Sequence, residues 1–149
     1  LGRSVCVGYC VLQEKVTAMA VQDSRNGILV AGLEGGEVRI WDIPGVEEPF
    51  SLRCTLEGHR QAVTCVVLAN EHGLVCSGSN NSLRLWRREP SGGYVEHKAC
   101  EDHVTMGGSA ISHTGSLLAF VRKHKEGSWE RGVSIWSLAP HEAARSFER

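Results

Sequence analysis

Apolar residues in this chain come in short bursts separated by polar turns. Three of the bursts end on tryptophan: VRIW at 38–41, LRLW at 83–86 and VSIW at 133–136, spaced 45 and then 50 residues apart. The same parts precede each tryptophan. A first burst is VTAMAV (16–21), VTCVVL (63–68) or GGSAIS (107–112). A turn with a glycine follows, at Gly27, Gly73 or Gly115. A second burst comes next: ILVAG (28–32), LVCSG (74–78) or LLAFV (117–121). A more polar stretch closes the unit: SLRCTL (51–56), YVEHKA (94–99) and, at the tail, EAARSF (142–147). SVCVGYC (4–10) reads as that same closing element from a preceding unit. Little of the chain has helical period; the tail PHEAARSFER fits a helix or a terminal strand.

The bursts are short, β-branched and bounded by turns, so they predict strands. Several fill both phases of the alternation with apolar residues, which requires cover on both faces of the sheet. Small four-stranded sheets covered on both faces must stack on copies of themselves, and radial stacking gives a β-propeller. The expected fold is all-β: one N-terminal orphan strand (4–10) followed by three four-stranded antiparallel units at 16–56, 58–100 and 103–149.

The middle unit, GHRQAVTCVVLANEHGLVCSGSNNSLRLW (58–86), carries a Gly-His at one end and a tryptophan at the other. This pattern resembles the WD40 repeat. The likeness is strong in the middle unit, good in the first (AGLEGGEVRIWD) and mainly positional in the third. The Trp-Asp pair survives as Trp41-Asp42; its counterparts are Trp86-Arg87 and Trp136-Ser137. The resemblance implies three blades of a ring of about seven. Three cannot close, so the remaining blades come from the same chain or another one. It also implies a hydrogen-bonded network within a blade: His59, Ser77 and Trp86, with the aspartate position falling on Asn80 or Asn81. A buried indole N–H needs an acceptor, which Ser77 can supply while passing its own proton on. The first unit lacks this set, because Ala31 stands for the serine and Glu34 or Gly35 for the aspartate. In the third, His103 stands for the histidine and Ala119 for the serine. Read as chemistry, Ser77 and His59 would be a nucleophile and its base; a buried strand serine tied to a tryptophan fits a structural role better.

Net charge is −1, so no global field recruits nucleic acid or an anionic membrane, which argues against broad phosphate contact. Apolar residues make up 42% of the chain and charged ones 22%, enough for a real core. No run approaches the ~20 apolar residues of a membrane span. The start lacks the apolar stretch of a secretory signal, and its first residue, Leu1, points to a segment of a longer chain. The six cysteines lie mostly in strand-like stretches as small hydrophobes, without CxxC, so reduced thiols, no metal and a cytoplasmic or nuclear setting are expected. No phosphate-binding loop, dinucleotide fingerprint or metalloprotease motif occurs, and no cofactor is implied. WDIP lacks the basic residue that marks WD40 substrate receptors of cullin ligases, and FVRKHKEG (120–127) is a poor echo of the lipid-binding Phe-Arg-Arg-Gly signature.

The expected function is a non-catalytic protein–protein interaction scaffold. The alternatives are a regulatory or substrate-binding segment of a multidomain enzyme (a kinase, exchange factor or ubiquitin ligase) and a ribonucleoprotein scaffold. A candidate partner surface is the third unit's loop at 122–132, with Arg122, Lys123, Lys125 and Arg131 around Trp129, the one tryptophan that does not end a strand. Trp129 either anchors an acidic partner or folds back onto its own sheet.

Overall fold

The computed structural model describes residues 9–23, 27–43, 49–69, 73–101, 109–112, 116–123 and 131–138. They form three antiparallel sheets. The first has the order β1 (Val16–Gln22), β2 (Gly27–Leu33), β3 (Val38–Ile43), β4 (Ser51–Leu56). The second repeats it with β5 (Val63–Ala69), β6 (Leu74–Ser79), β7 (Leu83–Arg88) and β8 (Tyr94–Cys100). The third consists of β9 (Ser109–Ile111), β10 (Leu117–Lys123) and β11 (Arg131–Ser137).

Composition sets the depth of each strand. All of β6, LVCSGS, is buried, because small and apolar residues fill both of its phases. The outer strand β8, YVEHKAC, carries polar residues and is exposed at Val95–Ala99. The register is the same in each sheet: Trp41 pairs with Leu29, Trp86 with Val75, and Trp136 with Leu118. Irregularities also recur, at Ile40/Trp41 and Leu85/Trp86 and at Val16/Ala18 and Val63/Cys65. Each adds local twist to its own sheet.

Sheet stacks on sheet. Ile28, Val30, Val38 and Ile40 of the first meet Val66, Val75 and Trp86 of the second. The other face of the second sheet, with Cys76, Leu83 and Leu85, packs on Leu118 and Phe120 of the third. The first junction is tight enough to demand glycine. A Cβ on Gly32 would lie 2.4 Å from Val63 Cγ1, and one on Gly36, at φ 94°, would lie 2.6 Å from the His59 carbonyl oxygen. Thr17 crosses the same seam, its hydroxyl donating to the Val63 carbonyl at 2.5 Å. The outward faces of the end sheets remain open: Met19 and Val21 on β1 are 68% and 65% exposed, and Val133 and Ile135 on β11 are 72% and 65% exposed.

Several expectations change. Tyr9 and Cys10 are not in a strand, and the rest of SVCVGYC lies outside the described residues, as do EAARSF and His103. Gly27 belongs to β2 rather than to the turn before it. Arg122 and Lys123 continue β10, while Arg131 and Gly132 begin β11, so the hairpin strands run further than the loop at 122–132 allowed. Cross-strand pairing extends the ladder wherever the chain stays extended, whatever its charge.

Candidate functional site

The polar residues at the heart of the second sheet meet in one chain. Trp86 Nε1–H donates to Ser77 Oγ at 2.8 Å. Ser77 Oγ lies 2.7 Å from His59 Nε2, and His59 Nδ1 lies 2.6 Å from Ser82 Oγ. Ser82 Oγ is 2.9 Å from Ser79 Oγ, which donates to Asn81 Oδ1 at 3.0 Å. One proton assignment satisfies every group: Ser77 donates to Nε2, the imidazole carries its proton on Nδ1, and Ser82 donates onward to Ser79.

The partner of His59 Nδ1 is therefore Ser82 and not Asn80. The bend at Asn80-Asn81 leaves Asn80 exposed, whereas the Ser79 N–H donates to the Ser82 carbonyl at 2.8 Å and draws Ser82 inside. Tight turns commonly bury the flanking residues and expose the tip. Ser77, Ser79 and Ser82 are no more than 1% exposed, and His59 is 8% exposed. Burial first, and then the Arg84 guanidinium, lower the His59 pKa to about 4, so the imidazole is neutral at physiological pH. Arg84 itself is held by Glu96 and Glu101. The hydroxyls of Ser77, Ser79 and Ser82 are buried and each is engaged in this relay.

The other two sheets put an apolar residue where Ser77 stands, Ala31 in the first and Phe120 in the third. In the first, Leu12 stands four residues before β1, as His59 stands four before β5, and Ala31 and Leu33 pair as Ser77 and Ser79 do. Leu12, Ala31 and Leu33 pack with Trp41. In the third, the register puts Phe120, not Ala119, opposite Ser134 where Ser77 pairs with Arg84. The Phe120 and Trp136 rings meet edge to face with centroids 4.9 Å apart. Trp136 is half-buried, and Lys98 Nζ of the second sheet sits 4.4 Å from its ring centroid.

Asp42, of the Trp-Asp pair, accepts from Arg53 on β4, whose Nε is 2.8 Å from Oδ1. Arg53 Nη1 also donates to the Gly92 carbonyl in the β7–β8 turn at 3.3 Å, tying the rims of two sheets together. Sequence reasoning missed Ser82, Leu12 and Arg53; alignment of the units by strand register would have found the first two. Of the candidate partner surface, Arg122 pairs with Gly132 and Lys123 with Arg131 in the β10–β11 hairpin, and Lys125 and Trp129 lie outside the described residues. Cys10, Cys54 and Cys76 are free thiols, and burial raises the pKa of Cys76 far above its usual range. Among the described residues no group of three or more His, Cys, Asp or Glu side chains is placed to hold a metal ion, and no helix is long and apolar enough to cross a membrane.

Residues 50–87 match the family described as WD domain, G-beta repeat. The chain is 24% identical over 136 residues to Protein ROOT INITIATION DEFECTIVE 3 of Arabidopsis thaliana, covering 85% of this chain and 29% of that protein. It is 25% identical over 142 residues to Ribosome biogenesis protein YTM1 of Coccidioides immitis, covering 87% of this chain and 29% of the relative. The chain thus spans under a third of the length of these relatives. Among solved structures, the computationally designed Ika4 protein superposes with a TM-score of 0.60 at 20% identity, covering 92% of this chain and 74% of that one.

Proposed function

Because the chain is a WD40-repeat protein, we propose that its three sheets are consecutive blades of a larger propeller of about seven blades, and that this propeller is a non-catalytic protein–protein interaction scaffold in the cytoplasm or nucleus. The blades would run 16–56, 58–100 and 103–149; an outer strand of the blade before would end ahead of Tyr9, which is not in a strand. The observation that carries this reading is the pair of open faces. Met19 and Val21 occupy β1 positions whose counterparts on β5, Val66 and Leu68, pack against the preceding sheet. Val133 and Ile135 offer the complementary face for a following sheet. Stacked repeats of this kind need continuation or capping at both ends. A binding role is favoured over catalysis because the Ser77–His59 pair is spent on a buried relay that includes Trp86.

The partner surface is assigned to Trp129 with Arg122, Lys123, Lys125 and Arg131, which would anchor and steer an acidic protein partner. A second reading, a scaffold within a ribonucleoprotein, draws support from the likeness to a ribosome biogenesis protein. Affinity capture from lysate with the wild-type chain and with Trp129→Ala tests both. The first reading expects a discrete protein set that survives ribonuclease and is lost in the variant, with a binding cost of about 2 kcal/mol or more and an unchanged melt. Capture abolished by ribonuclease would favour the second. A lowered melt with binding intact would make Trp129 structural.

A further inference from the structure

We propose that Ser91 is a modification site, phosphorylated at the expense of ATP by a serine kinase that reads an arginine three residues upstream. The pattern Arg-x-x-Ser/Thr occurs twice in the chain, as Arg88-Glu89-Pro90-Ser91 and Arg131-Gly132-Val133-Ser134. The structure separates the two. Ser134 sits in the middle of β11, opposite Phe120 in the ladder with β10, so a kinase would have to strip a strand from its sheet to reach it. Ser91 lies at the tip of the β7–β8 turn, and Arg87, Arg88, Glu89, Pro90 and Ser91 are all exposed. Kinases of this class hold the upstream guanidinium in a carboxylate-lined pocket, where its planar donors bond in pairs.

The turn is also easily opened. It is closed by two backbone bonds, Gly92 N–H to the Glu89 carbonyl at 2.9 Å and Glu89 N–H to the Gly93 carbonyl at 2.8 Å. Gly92 and Gly93, directly after the serine, let the segment extend without side-chain hindrance. The Ser91 hydroxyl makes only a long 3.4 Å bond to Glu89 Oε2. In the transfer, Ser91 Oγ forms a bond to the γ-phosphorus, the bond from that phosphorus to the β–γ bridging oxygen breaks, ADP leaves, and the hydroxyl proton passes to the kinase's base.

The setting would give the phosphate an effect. A phosphoserine carries roughly −1.5 to −2 charge at neutral pH. It would repel Glu89 and lie near Arg53, which already donates to the carbonyl of Gly92 next along the chain. The new charge would thus bear on the tie between the first and second sheets.

The test is incubation of the 149-residue chain with magnesium-ATP and the catalytic domain of a calmodulin-dependent kinase, followed by site mapping by mass spectrometry. Phosphate is expected on Ser91. Ser91→Ala should abolish it and Ser91→Thr should retain it. Arg88→Ala should slow it on the order of tenfold or more, with Arg87→Ala affecting it less. Phosphate on other residues but not Ser91, an unchanged rate in Arg88→Ala, or no phosphate at all would overturn the proposal. So would a peptide of residues 84–97 that accepts phosphate while the folded chain does not, since the turn would then be closed to kinases.

Discussion

Trp86, Ser77, His59, Ser82, Ser79 and Asn81 form a series in which each group donates to the next, so removing an inner member strands two neighbours. Ser82→Ala should cost about 1–2 kcal/mol, as a buried hydrogen-bonded group usually does, while Asn80→Ala on the exposed bend should stay within about 0.5 kcal/mol. Denaturant melts of the two variants distinguish them, and equal effects would disprove the role of Ser82. Trp86→Ala should cost ~3–5 kcal/mol, because it removes a buried aromatic as well as a donor. The same residues set an acid limit. An unfolded chain takes a proton on His59 near its ordinary value of 6.5, whereas the folded chain resists to about 4. Stability is therefore intact above pH 6.5 and declines as pH falls toward 4, by up to about 2 kcal/mol at pH 5 before solvent screening reduces it. His59→Phe should flatten the difference between melts at pH 7.5 and pH 5; an unaltered pH slope would mean that other groups dominate.

At the scale of strands, a one-residue shift decides what can be read from sequence. The bursts themselves were legible because β-branched runs between glycine-bearing turns leave few alternatives, and the tryptophan spacing marked the repeats. Placing Ala119 where Phe120 sits is the kind of error that follows when strands are aligned by eye; pairing to Trp136 fixes the register. Asn80 failed for a different reason, since sequence does not say which of several polar turn residues will face inward. Leu12 was invisible because a lone leucine before a strand carries no signal until its neighbours Ala31 and Trp41 are known in space. The seam between the first two sheets makes a further prediction. Gly36→Ala would combine a left-handed backbone with a contact to the His59 carbonyl and should cost at least about 1 kcal/mol. Lys98→Ala, which removes the cation over Trp136, should cost about 0.5–1 kcal/mol. Melts that rank these two in the opposite order would mean the seam relaxes around an added methyl.

For the molecule as a whole, the exposed apolar residues of β1 and β11 should drive association of the isolated chain. Light scattering behind a sizing column should find species larger than a monomer, and a Val133→Lys, Ile135→Lys double variant should shift the population toward monomer. A monodisperse wild-type monomer would show that the chain covers its own ends. The tryptophans add something of practical use. Trp41 lies among apolar side chains that include Phe50, Trp86 donates to a hydroxyl, and Trp136 is half-buried beneath an ammonium group. Each sheet thus contains an indole in different surroundings. Variants that keep one of the three, with Phe at the other tryptophan positions, would emit distinct fluorescence, and the order in which those signals change during unfolding would tell which sheet lets go first.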